Sequence, residues 1–330
     1  MRRALAVAGA VVVVLAAILL PGASGSGQHV TLTLDWTPNP DHVGLYYARD
    51  TGLFARAGLD VSVNAPSDPT APLKLVGVGK TDLAVSYEPE LFLAVAKKLP
   101  VKAVAAVVPR PLNSLIAIEP QVKTVRDLKG RSVGITGVPS DYATLDTALQ
   151  SAGLMRKDVK VVNVGYNLLP ALLAHRVDAV LGVYRNVEGI QLAERGLHPT
   201  VIPVDRAGVP TYDELVLVAS ATRLRSDAGY RSTVRKFVSA FLAGTSAARA
   251  HPRRAEDILA RVTASDRKFL DRATPATLAL LSGPGGVGCL HPAEWSRFGR
   301  WMLTRGLLSA GVPSSTIVDT SFLPKRCSRK

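Results

Sequence analysis

Two runs of alternating strand and helix patterns, separated by "PRPLNS" at Pro109–Ser114, constrain this chain more than any other feature of its sequence. In the first run Val30, Leu32 and Leu34 alternate with Thr31 and Thr33, a half-buried strand that ends at Asp35. A helix is expected from near Asp41. "LDVSVN" then reads as a strand, "APLKLVGVGK" as a short helix, "TDLAVSY" as a strand, "EPELFLAVAKK" as a helix and "VKAVAAVV" as a buried strand. Past the break the alternation starts again. It runs through "SLIAIE", a helix capped by Thr124 with Asp127, "RSVGIT", a helix from Asp141, "VKVVNV", a helix through "LLPALLAH", and "DAVLGV". "HPTVIPV" follows, and "AGVPTYDELVLVAS" reads as a strand leading out. From Ser226 onward the pattern is almost entirely helical, with amphipathic stretches at 231–249, 252–262 and 292–307. Such alternation belongs to the α/β class, with parallel-rich sheets covered by helices.

The economical arrangement inserts the second run into the first. One lobe then comprises 28–112 plus 213–330 and the other 113–212, and the chain crosses between them twice. Two crossings make a hinge, and strand ends facing each other across a cleft make a ligand site. The helical tail is expected on the first lobe. Two sequential domains with a rigid interface are the alternative, which explains the double alternation but not the paired crossings.

Residues 1–27 read as a leader. Arg2 and Arg3 precede the apolar run Ala4–Leu20 and then "PGASGSGQ", the layout of an export signal; retention as an N-terminal anchor is the alternative. About 300 residues remain, more than one typical core. Losing Arg2 and Arg3 with the leader takes the net charge from +14 to +12. The basic residues are scattered, aromatics make up 5% of the chain, and no RNP-like or helix-turn-helix pattern accompanies them. That excludes nucleic acid and leaves attraction to an anionic envelope surface. Cys289 and Cys327 are the two cysteines, and in an exported chain they are expected to pair and tie the tail to the body.

Several enzyme signatures fail in context. "GPGGVG", Gly283–Gly288, matches G-x-G-x-x-G as a string but lacks a preceding strand and a following helix, so it reads as a turn. "GKT" at Gly79–Thr81 resembles the end of a P-loop, yet the first glycine of that motif would fall on Lys74. There is no nucleophile elbow, and the histidines have no metal-ligand spacing. No catalytic residue, metal or cofactor is expected. "LDWTPNPDHVGLYYARDTGLF" survives. Trp36 offers a flat face, Asn39 both a donor and an acceptor, and His42 a ring nitrogen of either polarity, all at a strand end where ligands gather in open α/β folds. Taken singly, these side chains also suit a core tryptophan, a turn asparagine and a capping histidine.

"LDWTPNPDHVGLYYARDTGLFARAGLDVSV" and "LVGVGKTDLAVSYEPELFLAVAKKLPVKAVAAVV" resemble the periplasmic binding proteins that capture thiamine pyrimidine precursors, a group related to the yeast-type thiamine-pyrimidine synthases. The likeness continues through "LKGRSVGITGVPSD", "RVDAVLGVYRNVEGIQL" and "HPRRAEDILARV". It implies a type II periplasmic binding protein: two lobes with mixed sheets, joined by a two-strand hinge, closing as a monomer on a small heteroaromatic molecule that passes to an ABC transporter permease. It implies that Trp36, Asn39 and His42 edge the first lobe, followed by Tyr87 and Glu88, and that Asn113 sits at the crossing. Ser140, Asp141, Tyr184 and Glu188 would face them from the second lobe. "YRNVEG" departs from the tryptophan-rich version of that segment, so riboflavin-like heterocycles, sulfonates and nitrate remain alternative ligands. A synthase-like enzyme is the other alternative, with Lys80 at the shared G-K position. Trp36 and Glu188 are expected to line an open, wet cleft.

Overall fold

The structure, a computed structural model, describes residues 27–328. The leader expected within 1–27 lies outside the described residues apart from Gly27. No helix among those described is long and apolar enough to cross a membrane.

Ten strands form two five-stranded sheets. They are β1 (Gln28–Thr33), β2 (Leu59–Asn64), β3 (Leu83–Ser86), β4 (Val101–Val108), β5 (Asn113–Ala117), β6 (Ser132–Ile135), β7 (Lys160–Asn163), β8 (Ala179–Tyr184), β9 (Thr200–Pro203) and β10 (Leu215–Ser220). The first sheet runs β2-β1-β3-β10-β4 and the second β7-β6-β8-β5-β9. β1 pairs in parallel with β2 and β3, and β6 with β7 and β8. The reversed strands are β10, antiparallel to β3 and β4, and β5, antiparallel to β8 and β9. Each crossing therefore delivers the chain into the antiparallel strand of its sheet. β10 is buried along its whole length, as expected of a central strand covered on both faces.

The crossing segments, Pro109–Leu112 outbound and Ala207–Glu214 returning, are stitched by one side chain. Glu214 Oε2 accepts from the backbone N–H groups of Leu112 at 2.6 Å and Asn113 at 2.8 Å, and from the Tyr212 hydroxyl at 3.0 Å. "AGVPTYDELVLVAS" is a strand only from Leu215, because the side chains of Asp213 and Glu214 are taken up by these crossings rather than by a ladder.

The tail does more than cover the first lobe. Helix Ala228–Ala250 crosses helix Val43–Asp50 so closely that a Cβ on Gly244 would lie 2.6 Å from the Gly44 carbonyl oxygen. That contact fixes the helix following the Trp36–His42 loop. On helix Pro292–Thr304, Trp295 Nε1 donates to Asp213 Oδ2 at 2.7 Å, and the Asp213 N–H donates to Glu88 Oε2 at 2.7 Å. Helix Arg267–Leu278 reaches the second lobe, where Lys268 and Arg272 pair with Glu194 at the end of helix Glu188–Glu194. The tail thus bridges both lobes, beyond the sequence expectation.

Cys289 and Cys327 are joined, with Cα atoms 5.0 Å apart. The preceding Gly283–Gly288 turn lies against the first sheet, where Gly288 O accepts from the Ala106 N–H at 3.0 Å. The bond closes a loop of separation 38. Replacing both cysteines by alanine is expected to lower the unfolding free energy by about 3–4 kcal/mol, measured by urea denaturation. The non-reduced, denatured wild type should show no thiol to a labelling reagent.

Candidate functional site

The cleft opens where β1 ends. The Asn39 side-chain oxygen accepts from the Asp41 N–H at 2.9 Å, and with Pro40 in first position this caps a single 3-10 turn, Pro40–His42. His42 is fully buried behind that turn. Its Nδ1 accepts from the Asn39 N–H at 3.3 Å, so Nε2 carries the proton and donates to Asp35 Oδ1 at 2.8 Å. Tyr87 donates to the other oxygen, Oδ2, at 3.1 Å. Asp35 is thereby fixed through both oxygens. Trp36 follows it, its ring meeting the Tyr166 ring of the opposite lobe edge to face, with centroids 4.1 Å apart.

Three further carboxylates line the same chamber, each anchored by one oxygen. Asp141, on helix Pro139–Ser151, turns back so that Oδ2 accepts from the Thr136 hydroxyl at 2.7 Å and the Gly137 N–H at 2.9 Å. Glu188 Oε2 accepts from the Tyr184 N–H at 2.7 Å. Glu214 is the hinge residue described above. Among the described residues no protein donor meets the second oxygen of Asp141, Glu188 or Glu214, so these atoms remain acceptors for whatever the cleft holds. β8 comes close beneath them at Gly182. Its φ of +97° suits glycine, a Cβ there would lie 2.7 Å from Thr136 Cγ2, and its N–H donates to Asn113 Oδ1 at 3.0 Å. That bond leaves the Asn113 amide nitrogen as its donor toward the cleft.

Burial, the largest cause in each case, pushes the carboxyl groups of Asp141, Glu188 and Glu214 up to about 7 against the pull of their donors. The chamber leaves free space of about 40 Å³ and is walled by Trp36, Tyr87, Tyr184 and Tyr212. Among its lining residues there is no Lys, Arg or His. Chemically, this is a slot for a flat group that donates hydrogen bonds at several edges.

Of the residues singled out in the sequence, the structure brings Trp36, Asn39, Tyr87, Asn113, Ser140, Asp141, Tyr184 and Glu188 to this chamber. His42 and Glu88 are corrections. His42 points inward to Asp35, and Glu88, first residue of its helix, turns away from the cleft to the Asp213 N–H, where burial holds its carboxyl well above the usual range. Ser140 and Asp141 are second and third in their helix, which starts at Pro139 rather than at the expected Asp141. Lys80 is exposed in the turn before β3, at the strand end opposite the cleft. Asp82 of the same G-K-x-D run is structural, accepting from the Thr31 N–H at 2.9 Å and from Arg223 at 2.8 Å. Sequence reasoning missed Asp35, Thr136, Gly182, Tyr212 and Glu214. Only Asp35, the polar end of an alternating strand, carried a usable signal.

The sequence profile of the family described as "NMT1/THI5 like" matches residues 39–255. The chain is 38% identical over 72% of its length to a putative thiamine biosynthesis protein of Haemophilus influenzae, spanning 74% of that protein. It is 40% identical over 58% of its length to the formylaminopyrimidine-binding protein of Halalkalibacterium halodurans, of which it spans 59%. Among solved structures, the alkanesulfonate-binding protein SsuA of Xanthomonas axonopodis pv. citri, bound to MOPS, superposes with a TM-score of 0.70 at 16% identity, covering 89% of this chain and 98% of that one. At that identity the likeness concerns the fold, and the fold is that of a type II periplasmic binding protein.

The cleft's electrostatics carry a consequence for stability. The Glu188 group is raised from its ordinary 4.5 to about 7, so its penalty is absent below pH 4.5, grows through that interval and is complete above 7. Glu188→Gln keeps the shape and removes the titration. It is expected to stabilise the ligand-free protein by about 1–3 kcal/mol at pH 8 and to leave it nearly unchanged at pH 4.5, read by urea unfolding at both pH values. The open, wet cleft expected from sequence would give no such difference.

Proposed function

This chain belongs to the NMT1/THI5 like family, and from that premise we propose that it is the extracytoplasmic solute-binding component of an ABC importer. Its ligand is a small amino-substituted heteroaromatic of the thiamine-pyrimidine-precursor class. The observation that carries this reading is the chamber itself: aromatic walls, anchored carboxylates each presenting a spare oxygen, and no basic side chain in the lining. A planar ring stacks on the aromatic faces, each such contact worth about 0.5–1.5 kcal/mol beyond area burial. Amino and ring N–H groups meet Glu188, Asp141 or Glu214, while Asn39 and Asn113 address ring nitrogens. The relative named for formylaminopyrimidine binding supports the same class.

The lobes divide at 112/113 and 212/213, and they close as a monomer around the ligand. A micromolar Kd requires about −8 kcal/mol, which so small a molecule supplies only when both lobes touch it and water is excluded. Cross-lobe contacts such as Trp36 on Tyr166 support closure as the binding step. The leader pattern of residues 1–27 supports export, and the transfer partner is a membrane permease. A sulfonate or nitrate would meet four carboxylates and no cation, which disfavours those ligands. An enzyme reading fares no better. Lys80 is remote from the cleft, His42 is buried behind its loop against Asp35, and no His, Cys, Asp or Glu cluster suited to a metal occurs among the described residues.

Calorimetry and thermal-shift screening of the mature protein test the proposal with formylaminopyrimidine, riboflavin, MOPS and nitrate as probes. The aminopyrimidine is expected to bind at micromolar Kd or better, and stabilisation by MOPS or nitrate instead would overturn the class. Trp36→Ala removes a stacking face and buried apolar area, so the aminopyrimidine should lose about 1–3 kcal/mol of affinity in the same calorimeter.

A further inference from the structure

Asn186 belongs to the second lobe, two residues before Glu188, and its side chain is buried at 3% exposure. Its Nδ2 reaches two first-lobe acceptors, Asp41 Oδ1 at 2.7 Å and Thr277 Oγ1 at 2.8 Å. Asp41 lies in the 3-10 turn beside Asn39, and Thr277 lies on the tail helix whose Lys268 and Arg272 hold Glu194. One amide thus ties the loop carrying Trp36 and Asn39 to the loop carrying Tyr184 and Glu188. We propose that Asn186 is a positioning residue that clasps these two ligand-bearing loops in the closed cleft, and that through Asp41 the clasp links closure to the uptake of one proton. The inference rests on the cleft being a closing ligand site.

The proton follows from the surroundings of Asp41. Its Oδ2 is buried without a hydrogen-bond partner, as is Asn186 Oδ1. The charged groups that face Asp41 are Glu188 from the second lobe, Glu214 from the hinge and Asp35 from its own loop, all of them acids. His42, its neighbour in the turn, is committed to Asp35, and the tail helix offers only the Thr277 hydroxyl, itself a recipient of the Asn186 amide. With no cation at hand, an ionised Asp41 would be an unpaired buried charge, so the closed form carries it neutral, with the proton on Oδ2. Burial, foremost, holds this carboxyl well above its ordinary value. Opening withdraws Asn186, admits water and lets Asp41 ionise. For an acid raised in the closed form, closure is strongest below the ordinary carboxylate range and weakens as pH climbs through the raised value.

Asp41→Asn and Asn186→Ala separate this from a merely structural role. An Asn at 41 retains the oxygen that Asn186 donates to and cannot titrate. Closure is followed by a fluorophore pair on Val78→Cys and Met155→Cys, exposed sites on opposite lobes, with the native disulfide intact. Dissociation of formylaminopyrimidine is followed by stopped flow between pH 5 and 7. Asn186→Ala is expected to shift the ligand-free pair toward the open state and to speed dissociation about tenfold or more, with association within about twofold of wild type. Asp41→Asn should stay closed and lose about one proton's worth of pH dependence, a factor of about ten per pH unit. Wild-type closure in Asn186→Ala, or an undiminished pH slope in Asp41→Asn, overturns the clasp. A wild type that ignores the aminopyrimidine sinks the proposed ligand alone, and the ligand-free fluorophore distributions of the variants then decide the clasp.

Discussion

The carboxylate of Glu214 is the contact on which this architecture turns. Its Oε2 gathers two backbone N–H groups from the outbound crossing and a hydroxyl from its own segment. Two segments about a hundred residues apart in sequence are therefore held as one hinge. The residue is 3% exposed, so these donors also offset the desolvation of a charged group. Because Glu214 lines the chamber as well, the crossing and the cleft share a carboxylate.

The same theme recurs through the site. Asp141, Glu188 and Glu214 cluster with Asp35 in a partly closed volume, and lost hydration opposes ionisation of the first three. The backbone and hydroxyl donors aimed at each of them compensate only in part, which is why three of the groups sit near neutrality rather than near 4. The proposed ligand, rich in N–H groups, would complete the compensation. On the proposed reading, selectivity against anions needs no dedicated repulsive residue, because the lining is acidic and holds no Lys, Arg or His.

How much of this could be read from the chain differs from residue to residue. The double α/β alternation and its break at Pro109–Ser114 are visible because strand and helix periods differ, and the two sheets follow those runs closely. Trp36, Asn39, Tyr87 and Tyr184 could be found because they end or follow strands and are too polar or too large for a plain turn. Which way a strand-end side chain points is another matter. Tyr87 faces the cleft while Glu88, next along, turns toward Asp213, and a single residue of phase decides between them. His42 fell to the same ambiguity: a buried histidine serving a carboxylate looks in sequence like one serving a ligand. Glu214 was hidden because "DELVLV" reads as the start of an apolar strand, and its two backbone partners lie about a hundred residues upstream. Thr136 and Gly182 carry no sequence signal; they matter because β6 and β8 run side by side beneath the chamber.

The antiparallel strands by which the chain enters each sheet have a modular consequence. β5 begins at Asn113 and β10 at Leu215, and the residues just before them meet at one carboxylate, so the whole inserted stretch leaves and returns through a single narrow gate. Such an insertion behaves as a cassette, since its two ends are already neighbours on the host. A homologous second half grafted at that gate is expected to need no longer linkers, because the ends it replaces are already adjacent. A graft exchanges Asp141, Tyr184 and Glu188 together while Asp35, Trp36 and Glu214 stay with the host. The chamber thus draws its lining from both sides of one gate, and an exchanged half would also have to match the host at Asn186 and Glu194.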